Sequence, residues 1–128
     1  MRILVVDDHP AIRTGVRSTV EDYNGLEVVG EAANGEEAVA QAKKLRPDLI
    51  IMDISMPVLD GLSAAQIIMR YCPQTRILMF SLHKMREFVD AARSLGLSGY
   101  VAKEEDGASL RLAVEAVLRD QTYFPSPV

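Results

Sequence analysis

The sequence predicts an α/β fold: five parallel strands with helices covering both faces of the sheet. Three observations carry this. Short apolar runs recur about every 20 to 28 residues, each followed by a helix-period pattern, the signature of repeated β-α units. The runs are unbroken rather than alternating, as in strands buried on both faces. Their ends are chemically alike, since four of the five finish in a polar or charged residue. Right-handed crossovers then give an open sheet with helices on both sides.

The first run is Ile3 to Val6, ending in Asp7-Asp8, followed by His9 and by Pro10, which suits a first helical turn. Ile12, Val16 and Val20 mark one face of the helix that follows. Asn24-Gly25 is a turn, and Leu26 to Ala33 reads as the second strand. After Asn34-Gly35, Glu36 and Glu37 occupy a first helical turn, where the helix dipole favours anions. Ala38, Val39, Ala42 and Leu45 form its buried stripe, and Pro47 lies past its end.

Pro47 to Gly61 is the centre of the chain. Leu49 to Met52 is a third apolar run; Asp53 ends it, and Pro57 and Asp60-Gly61 supply turns. Open α/β sheets bind ligands at the carboxyl ends of their strands, and a carboxylate there is costly unless a charge meets it. The plain alternative is an Asp that caps the next helix or starts a turn. Leu62 to Tyr71 is helical through Ala65, Ile68 and Met69, and Pro73 stops it. Cys72, the single cysteine, sits at that helix end as a structural thiol and excludes both a disulfide framework and a multi-cysteine metal site.

Arg76 to Ser81 is the fourth strand. Met85 to Leu95 is helical through Phe88, Ala91, Ala92 and Leu95, and Gly96 closes it. Ser98 to Ala102 is the fifth strand, ending at Lys103, and Leu110, Ala113, Val114, Val117 and Leu118 give the clearest helix pattern in the chain. Tyr123 to Val128 contains two prolines and reads as the start of a linker.

The 128 residues, 48% hydrophobic and 25% charged, suffice for one core. With net charge −4 and scattered Lys and Arg, the chain has no electrostatic footprint for nucleic acid. Its beginning is too soon acidic for a signal peptide, and no apolar run approaches the length of a membrane span. These features predict a cytoplasmic protein without membrane contact.

In a parallel sheet Asp7, Asp8, Asp53, Ser81 and Lys103 share one edge. Three carboxylates in one pocket raise one another's pKa unless a cation intervenes. Mg²⁺, held by one or two carboxylates with positions left for water and phosphate, answers this. Lys103 is a point charge suited to a phosphoryl oxygen, Ser81 a hydroxyl donor, and Asp53 a candidate nucleophile for phosphoryl transfer. His9 reads as a loop residue at the pocket rim, with metal ligation as the lesser alternative. His83 lies near the pocket mouth.

This conjunction resembles the receiver domain of bacterial two-component response regulators. The resemblance rests on Val6-Asp7-Asp8-His9, on Leu49 to Pro57 with Asp60-Gly61, on Ser81, and on Gly99-Tyr100-Val101-Ala102-Lys103. Asp-Asp-His-Pro, Gly-Tyr-Val-Ala-Lys and the Tyr-Phe-Pro-Ser-Pro-Val tail are similar to the NarL/FixJ class, in which a LuxR-type helix-turn-helix follows. The resemblance implies a flavodoxin-like receiver fold of strand order 2-1-3-4-5 over residues 1–121, with 122–128 beginning a linker to an output domain absent from this chain. It implies Asp53 as phosphoacceptor, and Mg²⁺ (or Mn²⁺) bound by Asp8, Asp53 and the Ser55 carbonyl, with Asp7 acting through a metal-bound water. Ser81 and Lys103 would bind the phosphoryl group, and Tyr100 would be the switch aromatic, its ring turning inward once Ser81 is drawn to the phosphoryl group. The implied partners are a sensor histidine kinase, a second copy on phosphorylation, and DNA only through the output domain. The chain would be a stoichiometric acceptor rather than an enzyme. Glu104 follows Lys103 where many receivers have proline, which leaves the peptide isomer there open.

Other readings fit less well. A flavodoxin-like FMN binder needs a phosphate loop after the first strand, where Asp7-Asp8 would repel an anion. An aspartyl-phosphate phosphatase wants a second acid two residues past Asp53, where Ser55 stands. A degenerate receiver would lack site residues that are intact here. A stand-alone receiver acting through protein contacts is the remaining alternative.

Overall fold

In the computed structural model, which describes residues 1–82, 85–103 and 107–125, strands and helices alternate. In chain order they are β1 (Arg2–Val6), α1 (Pro10–Glu21), β2 (Glu27–Ala32), α2 (Gly35–Leu45), β3 (Leu49–Met52), α3 (Gly61–Tyr71), β4 (Arg76–Ser81), α4 (Arg86–Ser94), β5 (Gly99–Ala102) and α5 (Ala108–Leu118). The strands form one sheet in the order β2-β1-β3-β4-β5, and all four pairings are parallel. Both the α/β class and the strand order expected from the sequence are therefore found.

The unbroken apolar runs follow from the strand period of two. Successive side chains point to opposite faces, and here both faces are covered. Leu4, Val6, Ile50, Met52, Ile77, Met79 and Tyr100 face one way and pack with Ala38, Ala42, Ala64, Ala65, Ile68, Val89 and Ala92 from α2, α3 and α4. Ile3, Val5, Leu49, Ile51, Leu78, Phe80 and Val101 face the other way and pack with Val16 and Val20 of α1 and Leu110, Ala113, Val114 and Val117 of α5. Each large aliphatic side chain buried in this way contributes roughly 1.5–3 kcal/mol. The small side chains of Ala38 and Ala42 on α2 and of Ala64 and Ala65 on α3 are fully buried in this layer.

Local chemistry sets the element ends. Asn34 caps α2 by accepting from the Glu37 N–H at 2.8 Å, and the Glu37 carboxylate takes the Ala33 N–H at 3.0 Å. With that amide engaged, β2 stops at Ala32, one residue short of expectation. Cys72 is buried, its thiol 3.7 Å from the Ala42 carbonyl, with a contact of 3.5 Å from Arg46 Nη1; it is a structural thiol, as expected. Among the described residues no helix is long and apolar enough to cross a membrane. His83 and the peptide after Lys103, on both of which the sequence raised expectations, lie outside the described residues.

Candidate functional site

The carboxyl ends of the strands meet at one edge of the sheet. The hydrogen-bond ladder runs one residue past β1, β3 and β5: the Asp7 N–H donates to the Ala32 carbonyl at 3.0 Å, that of Asp53 to Val6 at 3.0 Å, and that of Lys103 to Ser81 at 2.8 Å. Asp7, Asp53 and Lys103 are thus fixed by the sheet rather than carried on free loops. Gly61 completes the setting of Asp53. It donates its N–H to the Ile54 carbonyl at 2.8 Å, and a Cβ at position 61 would collide with the Asp53 carbonyl. Only glycine lets α3 begin so close to the strand end.

The side chains converge. Lys103 Nζ lies 2.8 Å from Asp7 Oδ2 and 3.4 Å from Asp53 Oδ2, and all three side chains are almost fully buried. Asp53 Oδ1 accepts the Ile54 N–H at 2.8 Å. Burial pushes the Asp53 carboxyl above its ordinary range; Lys103 opposes this, Asp7 adds to it, and the Ile54 N–H opposes it. Ligand atoms of Asp7, Asp8, His9 and Asp53 all lie within 4.8 Å of one another. His9 Nδ1 is 3.1 Å from Asp7 Oδ1 and 3.0 Å from Asp8 Oδ1, although its side chain is 63% exposed, which places it at the rim. Asp8 Oδ1 is buried as an atom, yet it receives no well-directed hydrogen bond from the described residues. An acceptor left this way beside two further carboxylates is a donor set for a hard cation. Asp8 and Ser55, with Met56, Asp60 and Phe88, line an open cleft of about 760 Å³ beside the acids.

Ser81 and Tyr100 lie deeper, both without solvent exposure. Burial raises the pKa of the Tyr100 hydroxyl, and the neighbouring Ser81 opposes this. The expected sequence of events has the ring move inward after phosphorylation and its hydroxyl seek a carbonyl in the loop 82–85, of which residues 83 and 84 lie outside the described residues. In this structure the ring lies inward, in the apolar cluster beneath α4.

The structure thus brings together Asp7, Asp8, Asp53 and Lys103 at one point, with Ser55 beside them in the cleft, Ser81 at the end of β4 and Tyr100 on the neighbouring β5. It also adds residues that the sequence did not flag. Arg13 Nη1 donates to the Asp7 carbonyl at 2.6 Å, while its Nε holds Glu31 at 2.9 Å. That clamp joins α1, β2 and the acid pair; its sequence signal, an Arg one turn into a helix, is too common to be read. Asp60, expected from the sequence in a turn with Gly61, also caps α3, accepting from the Ser63 N–H at 2.8 Å and its hydroxyl at 2.9 Å.

Residues 3–115 match the family described as the response regulator receiver domain. The chain is 31% identical over 128 residues to the transcriptional regulatory protein MctR of Rhizobium johnstonii, covering 100% of this chain and 60% of that protein. It is 50% identical over 106 residues to a protein-glutamate methylesterase/protein-glutamine glutaminase of Alkalilimnicola ehrlichii, covering 80% of this chain and 27% of that one. The chain therefore spans less than two thirds of the length of either relative. Among solved structures, a LuxR-family two-component response regulator from Aurantimonas sp. SI85-9A1 matches with a TM-score of 0.89 and 38% identity, over 95% of this chain and 87% of that chain. That neighbour agrees with the NarL/FixJ class expected from the Asp-Asp-His-Pro and Gly-Tyr-Val-Ala-Lys motifs. With the strand order, the acid cluster and these matches in accord, the chain belongs to the response regulator receiver domain family.

Proposed function

We propose that this chain is a phosphoacceptor, in which Asp53 takes a phosphoryl group from the phosphohistidine of a sensor histidine kinase. One observation carries the reading: Asp53 stands at the sheet edge between two further carboxylates and the Lys103 ammonium. An Asp53 carboxylate oxygen attacks phosphorus, the phosphorus–nitrogen bond breaks, and the imidazole leaves with its electron pair and takes a proton. Asp7, Asp8, Asp53 and the Ser55 carbonyl would hold Mg²⁺, or Mn²⁺ in its place. Bound there, the cation offsets charge on the phosphoryl oxygens. Lys103, 3.4 Å from Asp53 Oδ2, is placed to shift from that oxygen to a phosphoryl oxygen, and Ser81 supplies a hydroxyl. The transfer is stoichiometric, and hydrolysis of the acyl phosphate resets the domain.

The signal would pass through Ser81 and Tyr100. Drawing the Ser81 hydroxyl toward the phosphoryl group changes the space beside β4 that the Tyr100 ring can occupy, and with it the packing beneath α4. In this reading residues 1–121 are the receiver and 122–128 begin the linker to a LuxR-type output domain. Phosphorylation favours a homodimer, DNA is met only through the output domain, and the protein acts in the cytoplasm. Ser81→Ala should still accept the phosphoryl group yet show little change in self-association.

Binding of beryllofluoride, which mimics a phosphoryl group, tests the reading. Calorimetry should show binding that requires Mg²⁺ and disappears in Asp53→Asn. Binding that persists in Asp53→Asn, or that ignores Mg²⁺, would contradict it.

A further inference from the structure

Beyond α5 the chain returns to the sheet. Tyr100 donates its backbone N–H to the Tyr123 carbonyl at 2.8 Å, and Tyr123 donates its own to the Ser98 carbonyl at 3.0 Å. Gly99 and Tyr123 pair as a single parallel bridge. The segment thus covers the outer edge of β5, which would otherwise offer unpaired backbone groups. Glycine at 99 makes this possible, since a Cβ there would meet the Tyr123 carbonyl and the Leu78 side chain.

The side chains hold both faces. Tyr123 packs against the cluster under α1 and α5. Phe124 packs against the opposite cluster, which contains Tyr100, Val89, Ala92 and Leu97. The Arg93 guanidinium of α4 stands 4.5 Å over the Phe124 ring centroid. Tyr100 is consequently held at two points. Its backbone is tied to Tyr123, and its ring shares a cluster with Phe124.

We propose that Tyr123–Phe124 is a latch on the edge of β5, whose docking is coupled through Tyr100 and Ser81 to the occupancy of the Asp53 pocket. A docked latch favours the inward Tyr100 ring, and a phosphoryl group that draws Ser81 toward itself clears the space beside β4 that this ring occupies, so the two reinforce each other. The latch thereby fixes the direction in which the chain leaves the domain after Pro125 only when the ring is inward. The coupling to the pocket rests on the phosphoacceptor reading; the coupling of the latch to Tyr100 does not.

Amide exchange followed by NMR on the 128-residue chain tests both parts. Phe124→Ala should speed exchange of the Tyr100 and Tyr123 amides at least tenfold and shift the Tyr100 ring resonances, with the amides of β3 unchanged. Tyr123→Pro, which removes the donor to Ser98, should release the Tyr100 amide in the same way. Unchanged exchange at Tyr100 in both variants overturns the latch. With Mg²⁺ and beryllofluoride, exchange at Tyr123 should slow several-fold in the parent chain, and Phe124→Ala should bind beryllofluoride more weakly by a similar factor, since coupling is reciprocal. Equal affinity in parent and variant overturns the coupling to the pocket. If the parent chain binds no beryllofluoride, the phosphoacceptor reading fails and the proposed coupling to the pocket falls with it, while exchange and ring shifts in the unliganded protein still decide the latch.

Discussion

Lys103 Nζ lies closer to Asp7 Oδ2, at 2.8 Å, than to Asp53 Oδ2, at 3.4 Å. The ammonium is therefore anchored on the acid that follows β1 and leans on the one that follows β3. Removing it leaves buried carboxylates without that compensation, a change that costs about 3–5 kcal/mol in comparable buried pairs. Lys103→Met keeps the length of the side chain and should destabilise the domain toward that range at neutral pH. Protonation of the acids, or a second change Asp7→Asn, should recover most of the loss. Equal denaturation midpoints for parent and Lys103→Met at pH 7 would show that the pair contributes nothing.

Asp53 supplies a pH dependence of opposite sense to that of most carboxylates. Its folded-state pKa is raised above the ordinary value of 3.8, chiefly by burial. The native state then binds more protons than the unfolded state between the two values. This contribution is favourable at low pH and is lost as pH rises through the raised value. Asp53→Asn should raise the thermal midpoint at pH 7 by a few degrees, the shift expected for about 1 kcal/mol in a domain of this size. The gain should vanish below the unfolded-state value. A gain independent of pH would assign it to something other than ionisation.

The acid cluster should respond to cations. Mg²⁺ at millimolar concentration should raise the thermal midpoint by mass action. Asp8→Asn removes a ligand and some repulsion together, so without metal it should be about as stable as the parent while losing most of the response. An unchanged midpoint for the parent across a Mg²⁺ titration would remove the metal from the account.

Val58 stands in the left-handed region with φ +72°, 73% exposed, where the Leu59 N–H reaches back to the Pro57 carbonyl at 2.8 Å. A β-branched residue is strained there, at a cost on the order of 1–3 kcal/mol, whereas glycine adopts the conformation freely at some expense in unfolded-state entropy. Val58→Gly should stabilise the domain by about 1 kcal/mol in urea denaturation. Destabilisation would show that the exposed side chain has a packing role.

The order of strands and the identity of the convergent residues were legible in the sequence because both depend on period and position. An apolar run ending in Asp or Lys places that residue at the sheet edge wherever the crossovers are right-handed. Contacts made by common residues with no period were not legible. Arg13, which reaches the Asp7 carbonyl, looks like an ordinary surface charge in the chain. The inward placement of the Tyr100 ring in this structure was not legible, because rotamer choice depends on the cluster beneath α4, which gathers residues from five strands and three helices. The docking of Tyr123 and Phe124 was missed because prolines on their C-terminal side read as linker, whereas Gly99, the residue that admits them, lies in another element.

The central claim is that Asp53 forms the acyl phosphate. Its most direct test is borohydride reduction after treatment with a small acyl phosphate and Mg²⁺, which converts a phosphorylated aspartate to homoserine that peptide mass spectrometry locates. The account predicts homoserine at position 53 in the parent and in Asp60→Asn, where the amide oxygen still caps α3, and none in Asp53→Asn. Homoserine at Asp7, Asp8 or Asp60 in the parent, or its persistence in Asp53→Asn, would contradict it.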